Sequence, residues 1–217
     1  SIPNTYTQDS EALKLMDEQS TLAIQNLNHT LYTIDSLNHS MADESELANF
    51  ICDALKKEHA CDFALINHGI VNHALNGEIS KMKLLECAPS PLNPTLIKVK
   101  GQNLLEAINL SKDPDHIHAH GKGPGFRGHY IGALAFSSNV KIQLDPLNVF
   151  IDGQALEVNK DYVVMTDDYL QRGSGYPSFT QPDEQSTFFS GYIRDLLERN
   201  LNDEGLRISA KQLRRIK

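Results

Sequence analysis

The sequence predicts an α+β domain, on three observations. Apolar residues recur at helical spacing near both ends of the chain. Between them lie shorter stretches in which apolar and polar residues alternate, as strands do. Gly, Pro, Asn and Asp clusters separate these stretches at regular intervals, which gives helices early, strands in the middle and a helix late.

The elements follow in order. Residues 1–9 are polar and contain Pro3, so they read as an arm. From Ser10 to Leu37, Leu13, Met16, Leu22, Ile24, Leu27, Leu31 and Ile34 recur at three- and four-residue steps. One long helix, or two broken near Asn28, fits that spacing, so residues 1–39 are expected to form an arm and linker helix and 40–217 the domain proper. Asp43–His59 reads as a second helix, capped by Ser45 or Asp43, with Leu47, Phe50, Ile51, Ala54 and Leu55 as its buried stripe. CDFALINHG is an apolar strand that ends in Asn67, His68 and Gly69, a strand end able to present polar groups to a ligand.

GEISKMKLLECAP predicts a turn and a short helix leaving at Pro89. TLIKVKG alternates, with Leu96, Lys98 and Lys100 on one face and Ile97 and Val99 on the other. GQNLLEAINL is a helix. IGALAFSS, KIQL, VFIDG and DYVVMTDDYL supply further strands, with turn signals at Asp152-Gly153 and Asn159–Asp161. Helical periodicity returns from Ser186 to Asn200.

Composition excludes several classes. The 217 residues are 40% hydrophobic and 22% charged, with a formal net charge of -8. A protein that grips a nucleic-acid backbone needs a basic face, and here the basic residues are scattered or gathered in the ending RISAKQLRRIK, which reads as a solvated helix end. No run of eighteen apolar residues occurs, so no membrane-spanning helix is expected. The chain opens on Ser1 without an export signal, which points to sequence missing upstream. Cys52, Cys61 and Cys87 are an odd number without CxxC spacing. They read as free thiols, with one disulfide and a leftover as the alternative, and lean toward a cytoplasmic setting.

Four pieces occur in an order that resembles the C-terminal domain of 5'-nucleotidases. ELANFICDALKKEHACDFALINHG is similar to the family's helix and strand ending in Asn-Gly-Gly, matching at Asn49, Asp53, Ala54, Asp62, Asn67 and Gly69. NGEISKMKLLECAPSPLNPTLIKVKGQNLLEAI resembles its next turn, strand and helix. GFRGHYIGALAF resembles its "G-F-L-Q" strand, and DYVVMTDDYLQRGSGYPSF its "T-N-D-F-L-A-x-G-G-D-G-Y" loop. The resemblance runs from about residue 40 to 180, with the 10–37 helix as the family's linker.

That resemblance implies a four-layer α/β/β/α sandwich that recognises a nucleoside or nucleotide. Catalysis, with two divalent metal ions, would belong to an N-terminal metallophosphoesterase domain outside this chain. The chain alone would hold no metal and hydrolyse nothing; its parent would be a phosphohydrolase. The alternative is a partner-binding domain whose nucleotide pocket has degenerated.

The resemblance also implies site residues. Phe126 and Tyr176 fall at the positions of two aromatics that sandwich the base, each beside glycines that let backbone approach a ligand. Either ring also fits as ordinary core. Asn67 can donate to and accept from a base or sugar edge, or close its own turn. Asp168 matches a family acid, or caps the following loop. Gly69, Gly173 and Gly175 complete the set. One departure stands out: Val71 occupies the place of a family arginine, so either the ligand is less anionic or Arg127, Lys122, His68 or Arg172 meets the anion in its stead.

His116, His118, His120 and His129 crowd one segment and suggest either a shared metal or an exposed loop. The GKGPG beside them lacks the Lys-Ser/Thr ending of a phosphate-binding loop.

Overall fold

The computed structural model describes residues 10–121 and 130–217. Its elements, in chain order, begin with α1 (Ser10–Asn28), β1 (Thr30–Leu37), α2 (Glu46–Glu58), β2 (Phe63–Asn67), β3 (Leu75–Ser80) and α3 (Lys81–Cys87). Next come β4 (Pro94–Lys100), α4 (Gly101–Leu110), α5 (Pro114–Ile117), β5 (Leu134–Phe136), β6 (Val140–Leu144), β7 (Leu147–Ile151) and β8 (Gln154–Ala155). The chain finishes with β9 (Asp161–Asp167), α6 (Asp168–Gln171), β10 (Thr187–Phe188), α7 (Ile193–Asn200) and α8 (Glu204–Ala210).

A five-stranded sheet ordered β10-β4-β9-β2-β5 organises the molecule. Within it β2 and β9 run parallel, and every other neighbouring pair is antiparallel. Successive side chains on a strand point to opposite faces, and β2 is buried along its whole length. Ala64 and Ile66 therefore join one core with Met165, Ala135 and the α2 stripe Leu47, Phe50, Ile51 and Ala54. Phe63 and Leu65 join the other, with Ile97, Val99, Val164, Leu104 and Ala107 of α4, and Val140, Ile142 and Val149 of the three-stranded β6-β7-β8 sheet. The result is a mixed α+β domain whose main sheet is covered on both faces.

Local chemistry explains most boundaries. Ser45 caps α2, its side chain accepting from the Ala48 amide, and Ser80 caps α3 in the same way from Lys83. Cys52, Cys61 and Cys87 are free, with Cys52 and Cys87 buried.

Three expectations are corrected. The 10–37 stretch is not all helix: α1 stops at Asn28, and β1 pairs antiparallel with β3 from Thr30↔Ser80 to Leu37↔Leu75. Thr30, Tyr32, Thr33 and Ile34 are β-branched or aromatic, and their pairing with β3 overrides the helical spacing of the apolar residues. The helix expected over Ser186–Asn200 is shorter, beginning at Ile193 after the edge strand β10. The basic ending is not a solvated helix end throughout. After α8, Arg215 is 1% exposed and Ile216 forms a parallel bridge to Ile142.

No helix among the described residues is long and apolar enough to cross a membrane.

Candidate functional site

Because β2 and β9 are parallel, their carboxyl ends lie side by side. Asn67 ends β2 and Asp167 ends β9. The segment 130–134, leading into β5, runs across the β2 end and ties the surrounding loops together.

Asn67 is fully buried and its Nδ2 donates to the Ile131 carbonyl at 2.6 Å, so its side chain does not close its own turn. Its Oδ1 has no partner among the described residues. The His68 amide donates to Ala133 O at 2.8 Å and the Gly69 amide to Ile131 O at 3.1 Å. That contact explains the glycine: a Cβ at Gly69 would sit 2.0 Å from the Tyr130 carbonyl oxygen. Gly132 faces it at φ +76°, where a Cβ would come within 2.6 Å of the Gly69 amide nitrogen.

Tyr176 reaches the same segment from the other side. Its hydroxyl donates to Gly132 O at 2.8 Å. The ring is fully buried, edge-on to His116 at 5.2 Å and beside Phe179 at 6.2 Å. Tyr176 thus packs in the core and holds its loop to Gly132, instead of offering an open face. Burial raises its hydroxyl pKa well above the ordinary value. Gly173 and Gly175 carry positive φ, and Gly175 lies against Ile131.

Asp168 exchanges two hydrogen bonds of 3.1 Å with the backbone of Asn93: each residue's amide donates, to Asn93 O and to Asp168 Oδ1. It links the β4 and β9 ends, and burial raises its pKa. The cap of α6 is its neighbour Asp167, whose Oδ1 accepts from the Tyr169 and Leu170 amides at 2.9 and 3.1 Å. Asp167 is fully buried with Oδ2 unpartnered among the described residues, and desolvation pushes its carboxyl up to about 7.

His68 is also fully buried. Its Nδ1 donates to the Ser40 carbonyl, which latches the β1–α2 connection to the end of β2. Desolvation lowers its pKa to about 4, with the Ser40 bond opposing, so the ring stays neutral near pH 7. Its neutral, enclosed ring does not supply the cation that the missing arginine would have provided.

Phe126, Arg127, Lys122 and His129 lie outside the described residues. The residues flanking that segment, His120 and Tyr130, form an antiparallel bridge. The histidines here have divergent surroundings: His116 packs on Tyr176, whereas His118 and His120 flank Tyr130 at 5.8 and 5.1 Å. Among the described residues no group of three or more His, Cys, Asp or Glu side chains converges on a metal position. Val71, in the place of the family arginine, is fully buried in the apolar core against α2 and β3.

Sequence reasoning missed three of these residues. Tyr130 is 41% exposed, an open ring at the root of the loops, and its place four residues after Phe126 was the available signal. Asp167 stands directly before the acid that the pattern highlighted. The His68–Ser40 latch left no signal, since it joins residues 28 apart.

Comparisons with known proteins agree with this architecture. The family profile described as "5'-nucleotidase, C-terminal domain" matches residues 24–181. A Bacillus subtilis protein, the uncharacterized metallophosphoesterase YunD, is 27% identical over 164 residues, which are 71% of this chain and 35% of that protein. The Haemophilus influenzae NAD nucleotidase structure superposes with a TM-score of 0.67 at 15% identity, covering 96% of this chain and 41% of its own. A 5'-nucleotidase precursor from Thermus thermophilus gives 0.64 at 14%, covering 95% and 41%. At such identities the two structures show the fold, and this chain spans well under half the length of each relative. On the profile match and the shared architecture together, the chain belongs to the 5'-nucleotidase C-terminal domain family.

Proposed function

We propose that this chain is the substrate-recognition domain of a two-domain, metal-dependent 5'-nucleotidase-type phosphohydrolase, and that it binds a nucleoside or nucleotide. Cleavage belongs to a metallophosphoesterase domain outside this chain, carrying two divalent ions. One observation carries the reading. Asn67, Gly69, Gly175 and Tyr176, far apart in sequence, all touch Ile131–Gly132, a few residues after Phe126 and Arg127. In this reading Phe126 stacks on the base and Arg127 meets the anionic part. Asn67 Oδ1 is an unused acceptor at the strand end, Tyr176 backs the pocket, and Gly173, Gly175 and Asp168 shape its rim.

A calorimetric titration tests this, with adenosine, AMP, a cyclic nucleotide and UDP-glucose, each with and without manganese. Saturable binding that does not depend on metal supports a working pocket and names the ligand class. A second reading, a partner-binding domain with a degenerate pocket, is favoured by Val71, which puts apolar core where the family arginine falls. Silence across the panel moves that reading ahead.

A further inference from the structure

Two imidazoles lie together at the end of β2, with a third close by. His39 belongs to the connection between β1 and α2, His68 follows Asn67, and His73 precedes β3. The His39 and His68 rings sit 6.1 Å apart with 26° between their planes. His68 Nε2 and both ring nitrogens of His39 are buried with no partner among the described residues. His73 is near enough to His39 to oppose a positive charge there.

The connection 38–45 is a strap. Its start is pinned to α2, where the Asn38 amide donates to Glu46 Oε2 at 2.8 Å and the Leu47 amide to the Asn38 carbonyl at 3.0 Å. Its middle reaches the sheet through two neighbouring carbonyls: Ser40 O accepts from His68 Nδ1, and Met41 O from the Ala133 amide at 2.9 Å. Ala133 O in turn accepts from the His68 amide at 2.8 Å, so the strap, the end of β2 and the 130–134 segment form one hydrogen-bonded unit. Asp43, within the strap, favours a charge at His68, whereas His39 opposes one. The other acids of this stretch are committed, Glu46 to Asn38 and Glu44 to the Arg215 amide at 3.1 Å.

His68 Nδ1 already carries the proton that meets Ser40. A second proton, on Nε2, would be a buried charge with no acceptor, facing another imidazole. Once the strap lifts, the ring reaches water and takes that proton freely. We propose that His68 and His39 form an acid-operated latch, in which protonation releases residues 38–45 from the end of β2 and frees the 130–134 segment on that side. His68 stands between Asn67 and Gly69, so release acts on the candidate site; only that last consequence rests on the nucleotide reading.

A ring that stays neutral only while the strap is closed makes opening about tenfold easier for each pH unit below about 6.5, until the closed state itself takes the proton at about 4. Amide hydrogen exchange of this chain at pH 7, 6 and 5, corrected for the intrinsic rate, reads the strap without any ligand and so separates this inference from the nucleotide reading. The Ala133 amide should lose about tenfold or more of its protection between pH 6 and pH 5, while amides inside the β4–β9 ladder keep theirs. His68→Asn offers an amide donor in place of Nδ1 and does not titrate, so it should shrink that loss at least threefold. Nitrogen shifts of the imidazoles in the parent chain supply a check that needs no variant: the His68 ring should stay neutral at pH 5.5. Protection of Ala133 that does not change with pH, an equal loss in His68→Asn, or a His68 ring that titrates near 6.5 with the strap closed would each overturn the latch.

Discussion

The guanidinium of Arg215 grips Asp53 with both terminal nitrogens, Nη1 to Oδ1 at 3.1 Å and Nη2 to Oδ2 at 2.7 Å, where the two side chains are only 1% and 4% exposed. The same guanidinium donates to the Phe136 carbonyl at 2.5 Å, and Ser209 Oγ donates to Asp53 Oδ2 at 2.8 Å. The pair therefore ties the tail to α2 and β5, with its hydrogen-bonding capacity largely used.

Breaking such a pair from one side leaves a buried charge without its partner. Arg215→Ala should cost about 3–5 kcal/mol of unfolding free energy by urea titration. Asp53→Asn should also be strongly destabilising, although it keeps the shape. A loss under about 1 kcal/mol for Arg215→Ala would mean that the tail is not held this way in solution.

Tyr176→Phe removes the hydroxyl that donates to Gly132 O and should cost about 1 kcal/mol. Gly132→Ala is a harsher change, because its φ of +76° is strained for alanine and its Cβ would overlap the Gly69 amide. Thermal melts of both variants check the order: Gly132→Ala should lie well below Tyr176→Phe.

The pH dependence of stability has a readable sign at Asp167. Its folded pKa of about 7 lies above the ordinary carboxylate value, so the folded state holds a proton that the unfolded state has released. The stability from that protonated form is complete below the unfolded pKa near 3.9 and is lost as pH rises through about 7. His68 runs the other way, its contribution present above 6.5 and lost as pH falls through about 4. Asp167→Asn keeps the Oδ1 cap and removes the titration. Its stability relative to the parent should therefore improve from pH 5 to about pH 7 and level off above that, and a flat difference throughout would place the Asp167 carboxyl in the ordinary range.

Stacking on a base contributes about 1–3 kcal/mol, so Phe126→Ala should weaken nucleoside binding about five- to hundredfold with the melting temperature unchanged. Retained affinity in that variant would remove Phe126 from the proposed pocket. Tyr130→Ala is the companion measurement, since its exposed ring flanked by two imidazoles offers the alternative platform.

α1 carries Leu13, Leu15, Met16, Leu22 and Ile24 at 45–68% exposure and buries none of its residues. Met16→Lys should change the folding free energy of this chain by no more than about 0.5 kcal/mol. A large loss in a denaturant titration would show that the helix packs on the domain in solution.

By itself the sequence determined the α+β class, the α2 helix with a cap at Ser45 or Asp43, the central strand from Phe63 and the alternation of β4; the structure chose Ser45. Each is written in local terms: a capping hydroxyl, a 3.6-residue stripe, a period of two. It also placed Asn67 at a strand end and Tyr176 in a glycine loop. Tertiary structure decided the rest. Leu31 and Ile34 continue the helical spacing of α1, and only the presence of β3 turns that stretch into a strand. Arg215 reads as surface charge until Asp53 and the Phe136 carbonyl are brought to it. Tyr176 reads as a ligand's partner until His116 and Phe179 enclose it. In each case the deciding partner is remote along the chain, and burial against it outweighs the preference of the local segment, which is the only thing a sequence pattern displays.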